Sequence, residues 1–67
     1  MTSLNNPYPI YSVRWLQFEL QKQGYYFYRI DGDYGKKTKA AVRSFQDEHG
    51  LVPDGRITNL LVNKIKG

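Results

Sequence analysis

The chain has 67 residues, with ten Lys/Arg against six Asp/Glu for a formal charge of +4, ten aromatic residues and no cysteine. That length makes one domain, whose core leaves roughly 3–5 kcal/mol of net stability. Without cysteine there is no disulfide framework and no Cys-based zinc site, and no apolar run approaches the roughly 18 residues of a transmembrane helix. The basic residues are scattered apart from a cluster over 36–43. The mild positive charge suits an anionic partner such as nucleic acid, an acidic membrane surface or an anionic polymer.

In chain order, residues 1–11 (MTSLNNPYPIY) are polar and proline-punctuated. They lack the charged start and apolar core of a signal peptide. They read as an extended lead-in to a domain spanning 12–67. Ser12 is a good N-cap, and Val13, Leu16 and Leu20 recur at helical spacing until Gly24 stops the pattern, which predicts a helix over 13–23. Trp15 and Phe18 lie off that stripe. They are expected to receive Tyr8 and Ile10 from the lead-in, the alternative being an exposed patch.

An aromatic, β-compatible run over 25–30 follows, and Asp31-Gly32 turns the chain, with Asp bonding nearby backbone N–H groups and Gly free to take a positive φ. A second helix is predicted over 35–49, with Ala41, Val42 and Phe45 on its inner face and Gly50 as its stop. Leu51-Val52-Pro53 is an extended spacer and Asp54-Gly55 a second turn. Thr58 caps a short third helix whose buried side is expected to be Leu60, Leu61 and Ile65. The fold class is therefore all-α, a compact three-helix module with two Asp-Gly turns.

The chain also repeats itself. Val13-Arg14-Trp15-Leu16-Gln17 leads to Gly24-Tyr25 and Asp31-Gly32; Val42-Arg43-Ser44-Phe45-Gln46 leads to Gly50-Leu51 and Asp54-Gly55. Such self-similarity marks a duplicated helix–turn unit. The full string V-R-x-L-Q-x-x-L-x-x-x-G-Y-(5)-D-G-x-Y-G-x-x-T-x-x-A-V-x-x-F-Q-x-x-x-G-L-x-x-D-G resembles the peptidoglycan-binding domain 1 family, over residues 13–55. These are small three-helix modules appended to bacterial and phage cell-wall hydrolases. The chain departs from the family pattern at three places. Arg56-Ile57-Thr58-Asn59 stands where the family usually has Gly-Pro-x-Thr, Phe27-Tyr28-Arg29 precedes the first Asp-Gly, and Lys36 replaces a common proline.

Duplication favours scaffold roles for the repeated polar residues. Asp31 and Asp54 read as turn caps rather than a catalytic carboxylate pair. Gln17 and Gln46 read as half-buried amides tying a helix to an Asp-Gly loop, with a ligand groove as the alternative for one of them. Asp31-Gly32-Asp33-Tyr34-Gly35 starts like a calcium loop, but Gly35 and Val42 stand where it needs carboxylates. His49 is alone, without a zinc constellation, and fits the end of the second helix. Ser12 and Ser44 have no triad context. The reading is a non-catalytic chain with no cofactor and no metal.

The candidate ligand residues lie where the two copies differ. Tyr25 matches a core position of the family pattern. Tyr26 and Tyr28 exceed what so small a core needs, and with Tyr34 they offer aromatic surface for sugar, the alternative being that they cover the domain's flank or pack on residues 1–11. Lys36, Lys37 and Lys39 crowd the first turn of the second helix, where the macrodipole disfavours cations, and Arg43 follows Lys39 at i+4. The expected face is Tyr26, Tyr28, Tyr34, Lys37, Arg43 and Gln46. The resemblance implies peptidoglycan as the partner (glycan strand with stem peptide), a catalytic domain on the same polypeptide, and a place at the bacterial cell wall without membrane insertion. Two alternatives come from other classes. A basic helix-turn-helix nucleic-acid binder is disfavoured by the eleven or so residues joining the first two helices. A pro-segment or interaction module packing on its own enzyme is the other.

Overall fold

The computed structural model describes residues 6–67, and among these it has three helices and no strand. They are α1 (Val13–Lys22), α2 (Lys36–Glu48) and α3 (Asn59–Lys66). Helix α1 packs on both others, in a globule of 28 × 23 × 19 Å. The expected three-helix architecture is the one observed.

The helix ends follow from their caps. Ser12 Oγ accepts from Trp15 N–H at 3.1 Å, and Thr58 Oγ1 accepts from Leu61 N–H at 3.2 Å. At the other end of α1, Tyr25 N–H reaches Leu20 O at 2.8 Å and Gly24 N–H reaches Gln21 O at 3.2 Å. Helix α2 closes the same way, with Leu51 N–H to Gln46 O at 2.8 Å and Gly50 N–H to Asp47 O at 3.4 Å. This is the Schellman arrangement, used once per unit. His49 caps α2, its Nδ1 2.8 Å from Phe45 O and its ring stacked on Phe45 at 3.9 Å.

The core is Trp15, Leu16, Leu20, Tyr26, Ala41, Val42, Phe45, Leu61, Val62 and Ile65. Three expectations are corrected by it. Trp15 is a core residue, and Val13 only half-buried, because the inner face of α1 is turned toward 15–16–19–20. On α3 the buried set is Leu61, Val62 and Ile65, while Leu60 faces solvent. In the 25–30 run, a loop here, Tyr26 enters the core and Tyr25 lies at its edge, ring to ring with Phe45 at 5.3 Å and bonded through its hydroxyl to Glu48 at 2.9 Å.

Residues 1–5 of the lead-in lie outside the described residues. From residue 6 it docks on α1. Asn6 is buried and its Nδ2 donates to Trp15 O at 3.1 Å and to Glu19 Oε2 at 3.0 Å. Tyr8 meets Phe18 edge-on at 5.9 Å, as expected, whereas Ile10 is exposed. Glu19 itself is fully buried, paired with Lys22 at 3.3 Å. Asn6 and Lys22 both face its Oε2, which offsets part of the burial, while its Oε1 is buried without a hydrogen-bond partner among the described residues.

Candidate functional site

The two Asp-Gly turns are locked to the two repeated glutamines by the same set of bonds. In the first unit, Gln17 Oε1 accepts from Gly32 N–H at 2.9 Å, and its Nε2 donates to Asp31 Oδ1 at 3.0 Å and to Asp33 O at 3.2 Å. In the second, Gln46 Oε1 accepts from Gly55 N–H at 2.9 Å, and its Nε2 donates to Asp54 Oδ1 at 3.2 Å and to Arg56 O at 3.3 Å. Each Asp also accepts from the backbone two residues on, Asp33 N–H and Arg56 N–H, both at 2.9 Å. Those backbone donors, with the Gln amides, hold both carboxyls below the ordinary carboxylate value.

Both turn glycines have positive φ, 77° at Gly32 and 74° at Gly55. Each is crossed by a basic stem: a Cβ on Gly32 would lie 2.9 Å from Arg14 Nε, and one on Gly55 2.7 Å from Lys39 Cγ and 3.3 Å from Arg43 Cγ. Arg14 and Arg43 are the equivalent residues of the two units, so the repeated Val-Arg-x-[Leu/Phe]-Gln string supplies both cover and lock. These residues build the scaffold.

Against that frame the six expected ligand residues divide into two groups. Tyr34, Arg43 and Gln46 gather at the second turn. The Tyr34 hydroxyl donates to Gly55 O, and burial, reinforced by the Asp54 charge, raises it above the ordinary phenol value. The Gln46 side chain is buried with both polar atoms engaged, which corrects its assignment to a ligand face. Tyr26, Tyr28 and Lys37 gather instead between the 26–38 segment and the start of α2. Tyr26 is only 3 % exposed, its hydroxyl donating to Arg29 O at 2.5 Å. It is therefore floor and core, and not the open aromatic that was expected. Tyr28 is 50 % exposed, with Lys37 Nζ 4.2 Å from its ring centroid. This cation–π contact sets the ammonium in place.

Two adjoining hollows meet at this pair. The larger, of about 630 Å³, is lined by Tyr26, Tyr28, Arg29, Asp31, Asp33, Gly35, Lys36, Lys37 and Thr38. The smaller, of about 340 Å³, shares Tyr28, Lys36 and Lys37 and adds Phe27, Ala40 and Ser44 among others. Phe27 is 76 % exposed and is the open aromatic of the region. The expected face left out Phe27, Arg29, Asp33 and Lys36, which also line the hollows. For Phe27, Arg29 and Lys36 the signal was present in the departures from the family pattern, Phe27-Tyr28-Arg29 and Lys36; Asp33 carried none there. Among the described residues no group of three or more His, Cys, Asp or Glu is placed to hold a metal, and no helix is long and apolar enough to cross a membrane.

A family model described as "Putative peptidoglycan binding domain" matches residues 11–65. The chain is 58% identical over 36 residues, 54% of its length, to the spore cortex-lytic enzyme of Bacillus subtilis (strain 168). It is 43% identical over 49 residues, 70% of its length, to the N-acetylmuramoyl-L-alanine amidase CwlM of Mycobacterium tuberculosis (strain ATCC 25618 / H37Rv). In each case the match covers 12% of the relative, so the chain spans about an eighth of these enzymes. No solved structure gives a significant match. The family match runs from the turn before α1 into the last turn of α3 and takes in both Asp-Gly locks; the chain belongs to the peptidoglycan-binding domain family.

Proposed function

We propose that this domain is a non-catalytic anchor that holds a cell-wall hydrolase, carried on the same polypeptide, on its polymeric substrate. Family membership is the observation that carries this reading, together with relatives named as lytic wall enzymes. A weak surface is enough for such a role, because tethering raises the local concentration of the attached catalytic domain. The ligand is the peptidoglycan strand with its stem peptides, and the place of action is the bacterial wall.

The contact face is the pair of hollows around Tyr28 and Lys37, with Phe27 as an aromatic shelf and Tyr26 as floor. An aromatic face stacks on the C–H surface of a sugar, while the lysines meet carboxylates of the stem. Tyr34 and Gln46 serve through the second turn they hold, and the exposed Arg43 adds positive potential nearby. The test is retention on purified sacculi. Phe27→Ala with Tyr28→Ala is expected to remove most of the bound fraction with the fold intact by circular dichroism. Undiminished retention of the folded double variant would place the contact face elsewhere.

A further inference from the structure

The larger hollow holds charges of both signs that form no salt bridge with one another, although the Arg29 charge helps to lower the Asp31 carboxyl. Arg29, Lys36 and Lys37 line it together with Asp31 and Asp33. The ion pair found among the described residues, Lys22–Glu19, lies elsewhere, and none within 4.0 Å links these five. The fold keeps them apart by other engagements. Asp31 Oδ1 is committed to Gln17 and to Asp33 N–H, and Lys37 rests over the Tyr28 ring. Asp33 is fixed through its backbone, N–H to Asp31 and C=O to Thr38 and Gln17, and none of the described residues pairs with its carboxylate. The floor offers little of its own, since the Tyr26 and Thr38 hydroxyls are donating to Arg29 O and Asp33 O.

Separated, pre-positioned opposite charges favour a ligand that carries both, because no internal ion pair must be broken to admit it. The second Asp-Gly unit has the same lock, and neither hollow includes it.

Resting on the wall-binding reading above, we infer that this hollow recognises the charge pattern of a stem peptide: Arg29, Lys36 and Lys37 take a carboxylate, and Asp33 takes the primary ammonium of the stem's diamino residue. A cross-link converts that ammonium into an amide. The module therefore prefers stems that are not cross-linked, and directs its enzyme to loosely linked wall.

Amide chemical-shift titration of the 67-residue chain tests this with four soluble probes: a stem tetrapeptide with free carboxylates and a free side-chain amine, the same peptide acetylated on that amine, the same peptide amidated at its carboxyls, and an N-acetylglucosamine oligomer. The free peptide is expected to shift the amides of Arg29, Asp33, Lys36 and Lys37. Acetylation or amidation is expected to weaken binding roughly twofold to fivefold each, the scale of an exposed charge contact. Asp33→Asn is expected to weaken the free peptide to the level of the acetylated one and leave the acetylated one unchanged. Equal binding of free, acetylated and amidated peptides, or shifts caused by the sugar oligomer alone, overturns the inference. If sacculi still retain the protein in that case, wall binding stands without charge reading. If sacculi do not retain it either, the wall-binding reading fails as well.

Discussion

Gln17 and Gln46 bring two N–H donors and one carbonyl oxygen to a buried position, and each joins one helix to the turn that follows it. Gln17 is the more heavily used: Tyr26 Oη and Thr38 Oγ1 lie 3.2 and 2.9 Å from its Nε2, beside Asp31 Oδ1 and Asp33 O, so four acceptors compete for two hydrogens. A leucine has similar size but leaves the turn N–H without its glutamine oxygen and the Asp oxygen with its backbone donor alone. Gln17→Leu and Gln46→Leu are each expected to destabilise the domain by roughly 2–3 kcal/mol, read as a lower urea midpoint, with the larger loss at Gln17. This role was legible from sequence because both copies carry the residue at the same place. The order of Tyr25 and Tyr26 was not. Two adjacent tyrosines in a loop have no periodicity to say which turns inward, and a Gln17 amide nearby decides it only once the chain is folded.

Helix α2 shows a conflict between stability and use. Its N-cap, Gly35, makes no side-chain cap bond, and its first turn has no acidic residue but three lysines. Positive charge there opposes the macrodipole. Lys36→Glu is therefore expected to stabilise the domain by about 0.3–1 kcal/mol, seen as a raised thermal midpoint, while lowering retention on sacculi. A fall in both quantities would mean that Lys36 serves the fold. At this scale the helices and their caps were readable from Ser12, Thr58 and the stop glycines. The phase of α3 was not, because Leu60-Leu61-Val62 presents three consecutive apolar residues in a helix of 8. Packing against the rest of the folded core selects Leu61 and Val62 over Leu60. The two hollows were half legible: the lysine cluster and the aromatic run were visible, but that they face one another across Tyr28 and Lys37 depends on the path of a loop with no regular pattern.

For the whole molecule, the two locks make stability sensitive to acid. The carboxyls of Asp31 and Asp54 sit below their ordinary value of 3.8 when folded. Their contribution is thus complete above about pH 5 and declines as the pH falls through the lowered folded-state values. The thermal midpoint is expected to hold from neutral pH to about pH 5 and drop below pH 4, and Asp31→Asn with Asp54→Asn should flatten that drop. An unchanged acid limb in the double variant would assign it to other carboxylates. The duplication has one more consequence, for observing the module rather than for holding it together. The amide protons of Gly32 and Gly55 are each sealed under a glutamine oxygen at 2.9 Å. Their hydrogen-exchange rates are separate clocks for the two halves, and a ligand that tightens only the first half will slow one clock and leave the other running.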